Sequence, residues 1–183
     1  MRIEEQFSVP FAPDRVWAFF HDAESVVRCL PGAELGATDG DGKLTGHFSV
    51  RLGPIAAAFA GEAEIAYDER ARSGTINGNG SDRRSGSRAR GSANFAVAPE
   101  PGGTRVDIAV DYTLAGALAQ FNRGGIVQDL AAKLTAQFAD NLRAALATAT
   151  PPPPAAPVAA GWLLFAVLQD RLWRWLRRLF ARG

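Results

Sequence analysis

A proline-rich segment near the C-terminus places the strongest limit on how this chain can fold. Residues 148–160 read TATPPPPAAPVAA, and their five prolines lack backbone N–H donors and have fixed φ angles, so neither a helix nor an inner strand can continue through them. Such a segment favours polyproline II, which rises about 3.1 Å per residue and forms a semi-rigid spacer. The sequence therefore predicts three parts: a body at residues 1–147, a linker at 148–160 and a tail at 161–183.

The formal net charge of +1 conceals an asymmetry between these parts. Before Pro151 the chain has 15 basic and 18 acidic residues, a net charge of −3, whereas after it five arginines and one aspartate give +4. A net-acidic body argues against nucleic acid as a partner. The basic tail instead favours an anionic surface.

Cysteine and histidine usage excludes two further classes of site. The chain has one cysteine, Cys29, and two histidines, His21 and His47, so it can form neither an internal disulfide nor a multi-thiolate metal site. We expect no metal. The N-terminus is charged and lacks the apolar run of a signal peptide, so we expect no secretion.

Periodicity predicts the elements of the body. Residues 2–9 have the pattern of a strand, Pro13 and Asp14 mark a helix start, and the short helical stretch ends before Pro31 and Gly32. From 32 to 114 the period is two, with glycine-rich turns between antiparallel strands. Apolar residues four apart then predict one long helix over 126–146; they are Ile126, Leu130, Leu134, Phe138, Leu142 and Leu146.

Alternation also sorts the faces of the strands, and the predicted inner faces carry many small residues. These are Gly46, Ala57, Gly61, Ala63, Ala89, Gly91 and Ala93. Two interpretations remain open: the helix approaches the sheet closely over the small residues, or a gap between them forms an apolar cavity for a ligand. We expect no charged residue on the inner faces.

The element order, one strand, two short helices, a curved antiparallel sheet and a long C-terminal helix, resembles the helix-grip fold of START-like and polyketide-cyclase-like proteins. The predicted fold class is therefore α+β, with the sheet wrapped around the helix. Local segments also resemble the G-subunit (CoxG) family of carbon monoxide dehydrogenase over essentially the whole body. They are CLPGAE at 29–34, GNGSD at 78–82 to GSRARG at 86–91, LAQF at 118–121, KL at 133–134 and QFADNL at 137–142.

This resemblance implies an accessory protein of molybdenum hydroxylases such as carbon monoxide dehydrogenase, linked to membrane attachment of that enzyme. In some members it also implies a respiratory quinone, menaquinone or ubiquinone, bound in the internal cavity with no covalent cofactor. The residues expected to line such a cavity are Phe48, Val50, Phe59, Ile65, Phe95, Leu118, Phe121, Ile126, Leu130, Leu134 and Phe138. Residues 114–125, with three glycines, form the expected entrance.

The tail has the pattern of a basic amphipathic helix. Its apolar run, 162–168, is far shorter than the about 20 residues that cross a bilayer, so the tail is expected to lie in the interface of the anionic inner leaflet. The expected membrane contacts are Trp162, Phe165, Leu168, Arg171, Leu172, Trp173, Arg174, Trp175, Arg177, Arg178 and Phe180. The alternative is a helix that packs on the body or in a groove of another protein.

No catalytic residue is predicted, and we expect the chain not to be an enzyme. Enzyme candidates are Tyr67, Tyr112, His21, His47 and Cys29, none with a base or orienting partner at a readable spacing. The arginines at 83, 84, 88 and 90 indicate either a solvated strand edge or a docking surface for an acidic partner.

The expected function is therefore a peripheral protein on the cytoplasmic face of the membrane. It binds a hydrophobic small molecule and recruits or serves a molybdenum hydroxylase. The alternatives are a recruitment factor with a filled core and a cyclase-like or hydratase-like enzyme.

Overall fold

The computed structural model of the chain describes residues 1–38, 43–52, 55–122 and 125–148. The linker was predicted at 148–160; the structure places its first residue, Thr148, at the end of α3, and residues 149–160 and the tail at 161–183 lie outside the described residues. The membrane contacts expected between Trp162 and Phe180 therefore stay a prediction.

Seven antiparallel strands form one sheet, and a long helix follows them. The elements are β1 Arg2–Val9, α1 Pro13–Phe20, α2 Ala23–Cys29, β2 Ala33–Thr38, β3 Leu44–Leu52, β4 Ile55–Asp68, β5 Ser73–Asp82, β6 Ser87–Glu100, β7 Gly103–Ala115, a 3₁₀ helix Gly116–Asn122 and α3 Ile126–Thr148. The strand order is β1-β7-β6-β5-β4-β3-β2. The predicted element order and the single long helix are confirmed.

The two short helices begin where the sequence provides a start signal. Pro13 is the first residue of α1, where its missing N–H costs nothing. Asp22 caps α2 by accepting a hydrogen bond from the Ser25 N–H at 3.1 Å. The Ser25 hydroxyl donates to the same carboxylate at 2.6 Å, and this bond is the main reason that the pKa of Asp22 lies below its usual value.

Strand register confirms the predicted inner faces. Phe48 pairs with Phe59, and Ala93 pairs with Val110, so these side chains share one face of the sheet. We call this surface the concave face. Val50 and Phe59 on it are buried, whereas His47 on the opposite side of the sheet is exposed.

Two glycines on the concave face are required by neighbouring strands. A Cβ atom on Gly61 would lie 2.0 Å from the Asn79 carbonyl oxygen, and one on Gly46 would lie 2.6 Å from the Glu34 carbonyl oxygen. Both distances are far inside van der Waals contact. These positions therefore keep glycine because adjacent strands approach closely there.

The apolar core is divided into two clusters at opposite ends of α3. The major cluster joins β1, α1, α2 and the C-terminal half of α3, with Phe20 stacked on Phe95 at 4.9 Å and Phe7 edge-on to Phe138 at 5.8 Å. The minor cluster joins the facing ends of β3 and β4, the 3₁₀ helix and the first turns of α3. Each end of the long helix is thereby fixed to a different part of the sheet.

Candidate functional site

The path of α3 leaves space over the middle of the sheet. The close Cα approaches of α3, within 8 Å, are concentrated on β1, α2 and the 3₁₀ helix rather than on β3, β4, β5 or β6. A helix resting directly on glycine and alanine would bring its backbone close to those strands. The arrangement therefore favours a gap between helix and sheet over a close helix approach.

Solvent reaches the concave face between the two clusters. Ile65, Ala93 and Val110 lie in the middle of this face, and each is only half-buried although α3 passes on the same side of the sheet. Leu134 of α3 is half-buried as well. We call this apolar space between α3 and the central strands the chamber.

The residues expected to line a cavity are distributed over both ends of the chamber. Seven belong to or pack against the minor cluster: Phe48, Val50, Phe59, Leu118, Phe121, Leu130 and Leu134. Phe95 and Phe138 belong to the major cluster, and Ile65 lies between the clusters. Ile126, at the start of α3, is 40% exposed and lies in neither cluster. Which of these side chains touch a ligand stays a prediction.

Among the described residues, two charged side chains lie on the concave side of the sheet, contrary to expectation: Glu5 and the buried Asp82, which pairs with Ser87. Glu5 pairs with Ile108 and lies between Ile3 and Phe7, both more than 90% buried. The Glu5 side chain is half-buried, and within the described part of the chain it has no ion pair or hydrogen bond. The expectation was wrong because it sorted the faces of neither β1 nor β5, although alternation in these strands carries the same signal.

Three polar side chains on or beside the concave face, Tyr67, Thr104 and Ser87, have hydrogen-bond partners that hold the fold. The Tyr67 hydroxyl donates to the Phe20 carbonyl at 2.9 Å, and desolvation is the main reason that its pKa is raised. The Thr104 hydroxyl donates to the Phe11 carbonyl at 2.6 Å, and the Ser87 hydroxyl accepts from the Leu118 N–H at 3.2 Å.

The side chains considered for catalysis are dispersed. Cys29 is fully buried, and desolvation raises the pKa of its thiol to about 11, so it is a neutral packing group at pH 7. His47 is exposed on the outer side of the sheet, and Tyr112 is half-buried on the concave face. The structure does not bring these three together.

His21 acquires partners that its sequence neighbourhood did not reveal. Its Nε2 atom lies 3.4 Å from Glu69 Oε1, and its ring stacks on Tyr67 at 4.2 Å. The Trp17 indole N–H donates to the other Glu69 oxygen at 2.9 Å. This group ties α1 to the turn between β4 and β5, at the edge of the major cluster and away from the chamber.

An open groove of about 680 Å³ crosses the outer face of the sheet. Side chains of β1, β5, β6 and β7 line it, among them Gln6, Thr75 and Asn94. Of its three acidic lining residues, Glu4 and Asp107 are paired with arginines and Glu5, within the described ranges, is not. The outward-facing polar side chains in its lining distinguish this groove from the chamber on the other side of the sheet.

Neither a membrane-spanning helix nor a metal cluster occurs in the ranges that the structure describes. No helix among residues 1–38, 43–52, 55–122 and 125–148 is both long and apolar enough to span a bilayer. Within the same ranges, no three His, Cys, Asp or Glu side chains are grouped to hold a metal ion.

Solved structures with the same architecture define the class of the fold. A conserved protein from Geobacillus kaustophilus superposes with a TM-score of 0.64 at 13% identity, covering 79% of this chain and 97% of its own. The Zhui aromatase/cyclase from Streptomyces sp. R1128 gives 0.58 at 12%, covering 80% and 93%. A START superfamily protein from Mycobacterium smegmatis gives 0.54 at 14%, covering 81% and 99%. The chain therefore has a START-like helix-grip fold.

The sequence assigns the family within this class. Residues 6–147 match the profile of CoxG, the G subunit of carbon monoxide dehydrogenase, and the chain belongs to that family. A comparison with curated proteins finds no match. Family and fold together indicate an accessory protein that binds a hydrophobic ligand, and the family name links it to carbon monoxide dehydrogenase.

Proposed function

We propose that this protein carries a respiratory quinone, menaquinone or ubiquinone, between the cytoplasmic face of the membrane and a molybdenum hydroxylase such as carbon monoxide dehydrogenase. The observation that carries the proposal is the chamber, an apolar space between α3 and the small residues of β4, β5 and β6. An isoprenoid chain has no hydrogen-bonding groups, so apolar walls suffice to hold it. Burying it would contribute about 25 cal/mol for each Å² removed from water.

The polar end of a quinone would need hydrogen-bonding partners, and the concave face offers two. Glu5 and Tyr112 are half-buried on this face, and among the described residues neither side chain makes a hydrogen bond or an ion pair. A neutral tyrosine hydroxyl donates to a quinone carbonyl, and a carboxylate accepts from a quinol hydroxyl. The two forms of the ring would thus each find a partner in the chamber.

Membrane attachment is assigned to the basic tail in this proposal. Its five arginines would each contribute on the order of 1 kcal/mol near an anionic leaflet. The tail follows the C-terminal end of α3, and the 23 residues of α3 span about 34 Å. An extended linker over 148–160 would reach roughly 40 Å, enough to let the body turn either end towards the lipid.

The carrier role is tested by the molecule that co-purifies with the full chain. Organic extraction and native mass spectrometry should detect a quinone in the wild type. Ala93→Phe places a ring in the chamber and should reduce the bound quinone at least tenfold. The matched control Ala60→Phe, on the exposed outer face of β4, should leave it unchanged. A wild-type protein that stays empty after exposure to quinone-containing lipid would favour a recruitment factor and contradict the carrier.

Membrane attachment has its own test, flotation of the full chain with vesicles. Arg177→Ser with Arg178→Ser should weaken flotation on phosphatidylglycerol vesicles roughly 10- to 30-fold, since each arginine contributes about 1 kcal/mol. The control pair Arg2→Ser with Arg70→Ser removes the same charge from the body and should float normally. Unchanged flotation of the tail variant would show that the tail does not provide the attachment.

A further inference from the structure

The described arginines of the body differ in whether their guanidinium groups have partners. Away from the minor-cluster end of the molecule, six described arginine side chains donate a hydrogen bond to an oxygen atom, and the exposed Arg70 side chain does not. The six are Arg2, Arg15, Arg28, Arg72, Arg105 and Arg143. Five others are exposed: Arg51, Arg83, Arg84, Arg88 and Arg90. Within the part of the chain that the structure describes, none of these five guanidinium groups has an ion pair or a side-chain hydrogen bond. We call these five the arginine rim.

The arginine rim surrounds one end of the molecule. The Leu118 N–H donates to Ser87 Oγ at 3.2 Å, which places the 3₁₀ helix against the turn between β5 and β6. The Ala58 N–H lies 3.4 Å from Asp82 Oδ2, which places the same turn beside β4. The facing ends of β3 and β4, this turn, the first residues of β6 and the 3₁₀ helix therefore form one tip, and the arginine rim lies on β3, the turn and β6.

The tip also carries an exposed apolar side chain. Ile126, in the first turn of α3 directly after the 3₁₀ helix, is 40% exposed. Among the described residues, Met1 is the other large hydrophobic side chain with such exposure. An exposed isoleucine on the same tip as unpaired arginines suits a surface with both an anionic and an apolar layer.

The charge of the tip stays positive when its acidic residues are included. Asp82 is buried there, and it accepts bonds from the Ser85 hydroxyl at 2.7 Å and the Arg84 N–H at 2.9 Å, which lower its pKa and keep it ionised. Asp129 is exposed on the first turn of α3. Five arginines against these two aspartates leave +3, on a body whose net charge before Pro151 is −3.

We propose that this tip docks on an anionic lipid surface, with the arginine rim on lipid phosphates and Ile126 among the upper acyl chains. The tip contains residues 114–122 of the expected entrance, so docking would direct the mouth of the chamber at the bilayer. The proposal rests on the proposed carrier role for its purpose. Its contacts are separate from those of the tail, because the tail follows the opposite end of α3.

The experiment places an environment-sensitive fluorophore on the tip of the full chain. Gln120→Cys, on the exposed surface of the 3₁₀ helix, carries the label, and Ala18→Cys on α1 carries it in the control. Cys29 should not compete, since it is fully buried and its thiol pKa is about 11. Vesicles are phosphatidylcholine alone or phosphatidylcholine with 30% (about one lipid in three) phosphatidylglycerol, a content near that of anionic leaflets.

We expect the Gln120→Cys label to shift to the blue on anionic vesicles only, and the Ala18→Cys label to stay unchanged. Arg88→Ser with Arg90→Ser should raise the lipid concentration for half-response about tenfold or more. Ile126→Ser should reduce the size of the spectral shift. The control pair Arg2→Ser with Arg70→Ser should change neither the lipid concentration for half-response nor the size of the shift. Flotation through the tail should persist in every variant, which separates this test from that of membrane attachment.

Three results would overturn the docking proposal. The first is that the Gln120→Cys label shows no spectral shift on anionic vesicles although the protein still floats with them. The second is a response that Arg88→Ser with Arg90→Ser leaves unchanged, because the rim would then carry none of the contact. The third is a label that responds to purified carbon monoxide dehydrogenase and not to lipid, which would make the tip a protein-docking surface.

Discussion

The substitution Ala93→Leu tests the chamber without any ligand. Ala93 lies in the middle of β6, on the concave face between the two clusters, and is half-buried. If α3 leaves space above it, three added carbons enter that space. If α3 rests on it, the same carbons must push the helix and the sheet apart.

The two cases differ in the sign of the effect on stability. Fully burying three carbons contributes about 2.4 kcal/mol at about 0.8 kcal/mol each. Partial burial reduces this to about 1 to 2 kcal/mol, and ordering a leucine costs about 0.5 to 1 kcal/mol. We therefore expect Ala93→Leu to change the free energy of unfolding by about 0 to +1.5 kcal/mol. Overpacking a filled site would instead cost about 1 to 3 kcal/mol.

The matched control is Ala139→Leu, which adds the same carbons at a filled site. Ala139 is 2% exposed in the major cluster, so this variant should lose about 1 to 3 kcal/mol. Both variants are compared with the wild type by urea unfolding after lipid extraction, so that no bound ligand contributes. If Ala93→Leu loses as much stability as Ala139→Leu, there is no space over the central strands and the chamber does not exist.

Two further predictions concern the fold around the chamber. Gly61→Ala should lower the free energy of unfolding in urea by about 1 to 3 kcal/mol, because the new Cβ would lie 2.0 Å from the Asn79 carbonyl oxygen. The control Gly78→Ala, whose Cβ would have its nearest atom at 3.4 Å, should lower it by less than about 1 kcal/mol. Equal losses of stability in the two variants would contradict the close approach of the strands at Gly61. Asp22→Ala should lower the free energy of unfolding by about 1 kcal/mol at pH 7. In the folded protein Ser25 holds the pKa of the Asp22 carboxyl below its unfolded value of about 3.9. The stabilisation by Asp22 is therefore present above that value and is lost as the pH falls through the folded-state pKa. Urea unfolding of the wild type and of Asp22→Ala at about pH 7 and about pH 3 should show that the difference between their free energies of unfolding becomes smaller at the acid end. A difference that does not change with pH would contradict the capping role of the carboxylate.

Sequence periodicity predicted the fold because it directly reports which side of an element is buried. Apolar residues every four positions predicted a helix over 126–146, and α3 spans Ile126–Thr148. Alternation likewise placed Phe59 inside and His47 outside, as the register and burial confirm. In both cases the signal lies within one element, so no knowledge of its neighbours is needed.

The gap over the small residues was not predictable from periodicity. Gly46 and Gly61 have the same pattern whether a helix, a ligand or a neighbouring strand lies next to them. The structure shows that a neighbouring strand requires them. The height of α3 above the sheet is fixed elsewhere, by Leu142 in the major cluster and Leu130 in the minor cluster. No local pattern encodes the distance between two elements that are fixed at remote points.

Pairings between remote residues escaped the sequence for a related reason. His21 and Glu69 are far apart in the chain, and the path of β4 towards α1 brings them together. Trp17 completes the group through the other carboxylate oxygen. Such partners become visible only once the register of the sheet is known, because each element alone contains one member of the set.

A sheet that curves towards α3 would account for both the close approach of the strands at Gly46 and Gly61 and the space beneath α3. A sheet that curves towards a helix fixed at both ends leaves its greatest depth midway between the fixed points. That midpoint is where Ile65, Ala93 and Val110 are half-buried. Replacing either glycine should therefore disturb the chamber as well as the strand pairing, since a flatter sheet would bring the central strands nearer to α3.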